Sequence, residues 1–319
     1  MIRFDVTTFG ESMVRLSVPV GRPLELTSRL DMHIAGAESN VLAVLAQLGH
    51  RCHWVSSVPD NALGRLVANE FRLRGIDLSG VVWRENGRIG TYFVEMAAAP
   101  RIVQVIYDRD NSCVTQMTPA DVGWDALLDT RLLHLTGITP ALSVGCHEIV
   151  QEAVTRAQAA RVPVSFDINY RGKLWSPAAA AKALLPLIQG STLLFCAKRD
   201  AELLFDITGT AETITTQLAT KTGAQHVIVS VGAEGVVGWD GQQFIHQPAF
   251  DTTIIDALGA GDALAAGVIH GWLSGDFARG LQMGAALAAM ALSQVGDMVA
   301  VTPSALDDLL ENGERKVQR

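Results

Sequence analysis

The sequence predicts an α/β protein, a three-layer α/β/α sandwich in which helices cover both faces of a mostly parallel central sheet. Apolar, β-rich runs alternate with helical patterns over most of the chain. The runs are apolar on both faces, as buried parallel strands are. Two stretches interrupt the alternation and predict a small β lid. The 319 residues contain no linker, repeat or shift in composition, so residues 1–319 are expected to form a single domain.

The alternation begins at the N-terminus and continues to about residue 231. The predicted strands cover residues 4–10, 52–58, 132–138, 162–169, 192–196 and 226–231. The predicted helices between them cover residues 38–48, 62–74, 145–160, 177–188 and 212–222. From Ala260 to about Ser293 we expect two Ala-rich helices joined by Ser274-Gly275-Asp276, with Asp276 as the N-cap of the second.

The two interrupting stretches cover about residues 12–35 and 89–115. The first contains Pro19 and Pro23 and short strand-like pieces without a helix. The second alternates like a β-hairpin with a turn near Ala99-Pro100. A small sheet that projects over the carboxyl ends of parallel strands would form a lid that excludes water from a site there.

Composition and charge exclude several classes of function. The formal net charge is −8, the pI is about 5.5, and no run of Lys or Arg supplies the basic face that nucleic-acid binding needs. The N-terminus lacks the apolar stretch of a signal peptide, and the most apolar segment, residues 284–292, is too short to span a bilayer. We therefore expect a soluble, cytoplasmic protein that binds neither nucleic acid nor a membrane.

The cysteines favour reduced thiols. Four of them are widely separated and form no CxxC pair: Cys52, Cys113, Cys146 and Cys196. His50, Cys52 and His53 lie close together, but no second cluster would complete a tetrahedral metal site. The segment is more typical of the start of a strand.

The sharpest local signal is the segment Asp256-Ala257-Leu258-Gly259-Ala260-Gly261-Asp262-Ala263, which follows a strand-turn region ending at Ile255 and opens a helix. Small residues at a helix N-terminus leave backbone N–H groups available to an anion. The carboxylate of Asp262 would oppose simple phosphate binding. It suits a base that accepts the proton of an attacking hydroxyl while the loop stabilises a transferred phosphoryl group. The alternative is an aspartate that only caps the helix beside turn glycines.

A second small-residue turn, Ile34-Ala35-Gly36-Ala37-Glu38-Ser39-Asn40-Val41, also leads into a helix. Gly36 would let a ligand approach the backbone, and Asn40 offers a donor and an acceptor to hydroxyl groups. Taken alone, such a segment is more often only the capped start of a helix.

Together the two turns resemble those of the ribokinase-like, phosphofructokinase-B-type sugar kinases. The resemblance spans essentially the whole chain and includes Gly10-Glu11, Gly64 and Gly75-Ile76-Asp77. Within the family, three strings are most similar to 2-keto-3-deoxygluconate kinases: residues 36–40, residues 134–142, and Asp167-Ile168-Asn169-Tyr170-Arg171 followed by Leu174-Trp175-Ser176-Pro177. The resemblance implies a ribokinase-like fold and a carbohydrate kinase that uses ATP and Mg²⁺. The implied reaction is phosphorylation of a sugar acid, in particular of 2-keto-3-deoxygluconate to its 6-phosphate.

The resemblance also implies roles for particular residues. A sugar acid carries a carboxylate, for which an arginine clamp is the natural partner, and Arg109 and Arg171 follow strand ends that could face one pocket. The substrate-binding residues would be Gly36, Asn40, Tyr92, Tyr107, Arg109 and Arg171. The catalytic residues would be Asp262 as base and Gly259, Ala260 and Gly261 as anion hole. The nucleotide-binding residues would be Ser230, Gly232, Gly235, Asp256, Gly259 and Gly261.

Departures from the family pattern fall on the nucleotide side. Ala197-Lys198-Arg199-Asp200 stands where Asn-x-x-Glu is usual, and Asp200 would help to order Mg²⁺ through water. Ser230 replaces a frequent lysine, Ala285 an asparagine near the adenine, and Leu264 an aromatic residue. These changes leave open a kinase with weak affinity for ATP or a different donor.

Two alternatives remain beside the sugar-acid kinase. One is a kinase for a neutral sugar such as fructose or ribose, and the other is a sugar-acid-binding protein that has lost catalysis. An NAD-dependent oxidoreductase is disfavoured, because no Gly-x-Gly-x-x-Gly follows the first strand. The expected partners are the small-molecule substrates and further copies of the chain, since exposed lid strands often pair between the subunits of a homo-oligomer.

Overall fold

The computed structural model describes residues 2–97 and 101–312, so the turn expected near Ala99-Pro100 lies outside the described residues. The strands within these ranges are β1 (Phe4–Phe9), β2 (Met13–Ser17), β3 (Asp31–Ala35), β4 (Cys52–Pro59), β5 (Asp77–Arg84), β6 (Thr91–Glu95), β7 (Gln104–Asp108), β8 (Thr130–Thr136), β9 (Val164–Asp167), β10 (Leu193–Ala197), β11 (His226–Ser230), β12 (Val236–Trp239) and β13 (Phe244–Gln247). The α-helices are α1 (Ala37–Gln47), α2 (Ala62–Arg72), α3 (Trp124–Leu128), α4 (Val144–Ala160), α5 (Pro177–Leu187), α6 (Lys198–Phe205), α7 (Ala211–Thr222), α8 (Ala260–Leu273), α9 (Phe277–Leu292) and α10 (Pro303–Asn312).

The main sheet carries nine of the described strands, in the order β13-β12-β11-β10-β9-β8-β1-β4-β5. Neighbouring strands are parallel from β11 to β5, and only the β11–β12 and β12–β13 pairs are antiparallel. Because β1, β8, β9, β10 and β11 are parallel, their carboxyl ends lie at one edge of the sheet. None of the described helices is both long and apolar enough to cross a membrane.

Helices cover both faces of this sheet, which confirms the predicted three layers. Alternate strand residues enter opposite cores: Leu193 and Phe195 join one cluster with α1, α8 and α9, whereas Leu194 and Cys196 join the other with α4, α5 and α7. This period of two, with both faces apolar, is the reason that the parallel strands could be read from the sequence.

The sequence prediction missed six of the described elements and added one. The missed elements are the edge strand β5, the two strands of the β12–β13 hairpin, and the helices α3, α6 and α10. In β5 only Val81 is buried, and β13 has no buried residue, so neither strand shows the continuous apolar run of a central strand. Residues 252–255, expected to end a strand, form no regular structure.

The lid is a separate sheet in the order β3-β2-β6-β7, built from the two stretches that interrupt the βα alternation. Strand β2 pairs with β3 in antiparallel and with β6 in parallel orientation. Its inner face has a small apolar core that includes Met13, Tyr92 and Val94, and Leu258 from the turn before α8 packs against this core. The lid and that turn therefore share an interface.

Helices α8 and α9 approach each other closely enough to require glycine. A Cβ at Gly267 would overlap the backbone of Gly284, and a Cβ at Gly284 would press on the carbonyl oxygen of Leu264. The Asp276 side chain accepts a hydrogen bond from the Arg279 N–H (2.8 Å) and caps α9, as predicted. This packing sets the position of α8, whose first turn carries Asp262.

We expect Gly267→Ala to destabilise the protein by about 1–3 kcal/mol, because the added methyl group meets backbone atoms that cannot rotate away. This cost outweighs the gain in helix propensity, which is about 1 kcal/mol. Urea unfolding monitored by circular dichroism measures the difference. Gly123→Ala is the matched control, since a Cβ there has no neighbour within 4 Å. Equal stability of the two variants would show that α8 and α9 can move apart freely.

Candidate active site

The two predicted turns meet at the carboxyl edge of the sheet. Asn40, in the first turn of α1, donates a hydrogen bond from Nδ2 to Oδ2 of Asp262, in the first turn of α8, over 2.7 Å. Its Oδ1 accepts the N–H of Gly36 at 3.2 Å. Both polar atoms of the Asn40 amide therefore form hydrogen bonds, and the amide orients the Asp262 carboxylate.

The turn before α8 depends on Gly259. This residue has φ of +86° and caps the helix, and a Cβ there would overlap the backbone carbonyl of Asp297. At Gly261, by contrast, a Cβ would find no neighbour within 4 Å. The first N–H groups of α8 have no acceptor inside the helix, so they are available to bind an anion.

Asp262 is nearly buried, and its chemistry follows from that burial. Loss of solvation raises the pKa of the carboxyl from 3.8 to about 8. The hydrogen bond from Asn40 opposes this rise, and the nearby carboxylate of Asp167 adds to it. A carboxyl with a pKa in this range is suited to accept a proton from a hydroxyl group near neutral pH.

A first cavity, which is open to solvent, lies between the lid and the two turns. All six residues that the sequence predicted to bind substrate line it: Gly36, Asn40, Tyr92, Tyr107, Arg109 and Arg171. Gly259 and Asp262 line it as well. We name this cavity the lid pocket. It brings together residues from β6, from β7 and the loop after it, from the loop after β9, and from both turns.

The two arginines of the lid pocket differ in their charge environment. Arg109 is nearly buried and donates from Nε to Oε2 of Glu11 over 2.8 Å, with a second contact from Nη2. Ser112 donates to the other oxygen of Glu11. Arg171 is exposed, and no salt bridge involves it within the part of the chain that the structure describes. Arg171 is therefore the cation that remains available to an anionic ligand, whereas the charge of Arg109 is already balanced.

A second cavity, which we name the edge pocket, lies over the ends of β9, β10 and β11. Its lining includes Asp167, Asn169, Ala197, Asp200, Ser230 and Leu264. It shares Arg171, Gly259 and Asp262 with the lid pocket. Asp262 thus lies at the junction of the two cavities, where a group could pass from one to the other.

Two carboxylates of the edge pocket are candidates to hold a cation. Burial raises the pKa of Asp167 to about 7 and also raises that of Asp200. Oδ1 of Asp200 is buried and has no hydrogen-bond partner within the described residues. No group of three or more His, Cys, Asp or Glu in the described chain could hold a metal ion. The donor set fits Mg²⁺, which keeps water and phosphate oxygens among its ligands.

Three residues predicted to bind nucleotide line neither pocket. Asp256 is fully buried, where it forms a salt bridge with Arg15 (2.5 Å) and accepts the N–H groups of Leu258 and Gly296. Its carboxylate therefore supports the Gly259 turn from behind and does not face a ligand. Gly232 and Gly235 both have positive φ and shape the turn between β11 and β12.

Sequence reasoning missed several acids at the site. Glu38 is fully buried and accepts the hydroxyl groups of Thr136 (2.8 Å) and Thr139 (2.5 Å), and burial raises its pKa. Asp297 accepts the Tyr92 hydroxyl at 2.9 Å and borders the lid pocket. Asp167 carried a readable signal, because it stands near the end of a predicted strand and four residues before Arg171. Glu38 and Asp297 could not be assigned from local sequence, since their partners are distant in the chain.

The sequence profile described as pfkB family carbohydrate kinase matches residues 3–304. The chain belongs to this family. Within it, the chain is similar to 2-dehydro-3-deoxygalactonokinase of Haloferax volcanii, with 36% identity over 316 residues and 99% of each chain covered. It is also similar to 2-dehydro-3-deoxygluconokinase of Bacillus subtilis, with 32% identity over 303 residues, 93% of this chain and 92% of that one.

A solved structure agrees with this assignment. The 2-dehydro-3-deoxygluconokinase of Thermotoga maritima superimposes with a TM-score of 0.92 at 30% identity, covering 97% of this chain and 98% of that one. The pfkB carbohydrate kinase assignment confirms the predicted ribokinase-like fold and the predicted enzyme class.

The buried carboxyl of Asp262 predicts a pH-dependent loss of stability in the ligand-free kinase. In the unfolded chain this group ionises at about pH 4, whereas in the folded protein its pKa is about 8. Its contribution to stability is therefore full below about pH 4 and falls as the pH rises to 8. Because Asp262→Asn cannot ionise, we expect it to exceed the wild type in free energy of unfolding at pH 8 by about 1–3 kcal/mol.

Urea unfolding at pH 5 and pH 8 measures this difference. Asp60→Asn is the control, because the Asp60 side chain is 53% exposed in its pair with Arg65. Its stability should stay close to that of the wild type at both values of pH. A gap between wild type and Asp262→Asn that does not widen from pH 5 to pH 8 would contradict the raised pKa.

Proposed function

We propose that this carbohydrate kinase transfers the γ-phosphoryl group of ATP to the terminal hydroxyl of a 2-dehydro-3-deoxy sugar acid. The leading substrate is 2-keto-3-deoxygluconate, also named 2-dehydro-3-deoxygluconate, and the product is its 6-phosphate. The observation that carries the proposal is the position of Asp262 at the junction of the lid pocket and the edge pocket. The names of the Bacillus and Thermotoga relatives support the substrate class.

Asp262 acts as the general base in this proposal. Its carboxylate takes the proton of the sugar hydroxyl, the hydroxyl oxygen forms a bond to the γ-phosphorus, and the bond from that phosphorus to the bridging oxygen of ADP breaks. The N–H groups at the start of α8 stabilise the charge on the transferred group. Asn40 keeps the accepting oxygen aimed at the junction through its 2.7 Å hydrogen bond.

The sugar acid occupies the lid pocket with its carboxylate at Arg171. This guanidinium is exposed and has no salt bridge within the described residues, so it can form a bidentate pair without first losing a partner. Arg109 contributes a charge already balanced by Glu11 and shapes the pocket around the sugar. The rings of Tyr92 and Tyr107 lie beside it with their centroids 5.6 Å apart, tilted by 30° to each other, and supply an apolar wall.

The phosphate chain of ATP occupies the edge pocket, next to Ser230 and Gly261. Asp167 and Asp200 would hold Mg²⁺, which supplies positive charge to the phosphate chain when it is bound. Ala197, at the end of β10, has no polar side chain for this purpose. Contacts to phosphate therefore fall on the backbone of the Gly259 turn, which borders both pockets.

The relative from Haloferax favours a second candidate, because its name gives the galactonate and not the gluconate substrate. These two acids differ in configuration at one carbon, and both carry the carboxylate that Arg171 would bind. Release of ADP with a panel of both acids, fructose and ribose tests the proposal. Preference for fructose or ribose over both acids would overturn the sugar-acid assignment and leave the carbohydrate kinase assignment intact.

We expect Asp262→Asn to lower kcat by roughly two to four orders of magnitude, the usual effect of losing a positioned base. The amide keeps the shape of the side chain, so KM for the sugar should change little. In the wild type, kcat/KM should rise with pH up to about 8, where the carboxyl of the free enzyme ionises. The variant should lack this rise. A variant with near wild-type turnover, or with the same pH profile, would remove Asp262 from the role of base.

The unequal states of the two arginines predict unequal effects of removing them. Arg171→Ala should lower kcat/KM for a sugar acid by tens-fold to about a thousandfold, equivalent to about 2–4 kcal/mol, and should hardly affect a neutral sugar. Arg109→Ala leaves the buried carboxylate of Glu11 unpaired, so it should impair both kinds of substrate. Steady-state kinetics with both substrates measures the contrast. Equal losses for acid and neutral sugar in Arg171→Ala would show that this residue does not read the carboxylate.

A further inference from the structure

Arg15 is a fully buried arginine in the middle of lid strand β2. Each guanidinium nitrogen has a partner: Nε donates to Ser17 (2.7 Å), Nη1 pairs with Asp297 (2.6 Å) and Nη2 with Asp256 (2.5 Å). Its side chain is 0% exposed, and it lines neither the lid pocket nor the edge pocket. Removing such a charge from water is costly, and an apolar side chain could fill the same space at lower cost.

The two aspartates that Arg15 binds, Asp256 and Asp297, contact the Gly259 turn from opposite sides. Asp256 accepts the N–H of Leu258 on Oδ1 (3.0 Å) and that of Gly296 on Oδ2 (3.1 Å). The backbone carbonyl of Asp297 lies directly against Gly259, so that no Cβ could fit between them. One guanidinium therefore connects the segment before the turn with the segment that covers it.

The same arginine ties this turn to the lid. In the lid sheet Arg15 stands between His33 of β3 and Tyr92 of β6. The Tyr92 hydroxyl donates to the same Asp297 oxygen that Arg15 binds, at 2.9 Å. The turn residue Leu258 also packs against the apolar core of the lid. Movement of β2 relative to α8 would break both ion pairs together.

We propose that Arg15 is a positioning residue that holds the Gly259–Asp262 turn in its anion-binding geometry and couples that geometry to the seating of the lid. It acts through Asp256 and Asp297 and does not touch substrate. The proposal rests on the anion-hole role that the proposed function gives to this turn. It accounts for the two buried carboxylates behind the turn, which would repel each other without a forked cation between them.

Lysine is the informative replacement, because its ammonium group keeps the charge but cannot bond both carboxylates in one plane. In Arg15→Lys we expect kcat to fall by about tenfold to a hundredfold, since small displacements of catalytic groups have effects of this size. KM for the sugar should stay within about threefold, because Arg171 and the loop after β9 are untouched. The amide of Leu258 should exchange hydrogen faster than in the wild type, because its acceptor is no longer fixed.

Asp256→Asn is the second variant and carries less risk of unfolding, because it leaves Arg15 paired with Asp297 as one balanced ion pair. It should show the same split between kcat and KM and the same faster exchange at Leu258. Arg84→Lys is the matched control. Arg84 also bonds a serine and an aspartate, Ser57 (3.2 Å) and Asp121 (3.3 Å), but lines neither pocket, so its kcat should equal that of the wild type.

The experiment combines steady-state kinetics, below the unfolding temperature of every variant, with hydrogen exchange of the ligand-free protein. Lower kcat with retained KM and faster exchange at Leu258, in each of Arg15→Lys and Asp256→Asn that folds, supports the positioning role. A folded variant with kcat within about twofold of the wild type, or an equal loss in Arg84→Lys, overturns it. Hydrogen exchange distinguishes failure of this proposal from failure of the proposed function. A wild type that is inactive on every sugar defeats the proposed function. Unchanged exchange at Leu258 in the variants then defeats the role of Arg15 as well.

Discussion

The hydrogen bond between Asn40 and Asp262 joins the first turns of two helices whose bonded residues are 222 positions apart in the chain. Each helix start follows a small-residue turn, and each turn by itself could be an ordinary helix cap. The bond brings the two turns to one point at the edge of the sheet. It also holds a buried carboxylate in one orientation, which a base needs if it is to meet a hydroxyl on one side and a phosphoryl group on the other.

The site around this bond holds more buried acid than base. Burial raises the pKa of Glu38, Asp167, Asp200 and Asp262 alike. Arg171 is exposed beside them and offsets only part of this charge, while Arg109 is occupied by Glu11. An arrangement of this kind is unfavourable in the ligand-free protein, because each carboxyl that ionises does so without solvation and beside other acids. Stability is thus lost at the same residues that the proposed reaction uses.

Rigid packing behind the site compensates for this imbalance. Helix α8 is held against α9 by contacts that only glycine permits, and the turn at its start is braced by Asp256 and Asp297. The lid joins the same framework through Arg15 and Leu258. Asp262 is therefore carried on a helix whose position is fixed by packing, so its carboxyl cannot move outward to escape burial.

The sequence by itself determined the alternating α/β architecture, because buried parallel strands are apolar on both faces and read as continuous runs. It also indicated the two-part lid, and the resemblance to the sugar kinases named six of the residues that line the lid pocket, because they match that family's motifs. Tertiary structure decided the edge strand β5 and the β12–β13 hairpin, whose half-exposed patterns resemble loops.

Tertiary structure also decided which buried polar and charged side chains pair with one another. Asp256 pairs with Arg15, Asn40 bonds Asp262, and Arg109 is balanced by Glu11. These pairs join residues roughly 100 to 240 positions apart, and no local pattern specifies which buried charge will meet which, because that choice is made only when the elements pack.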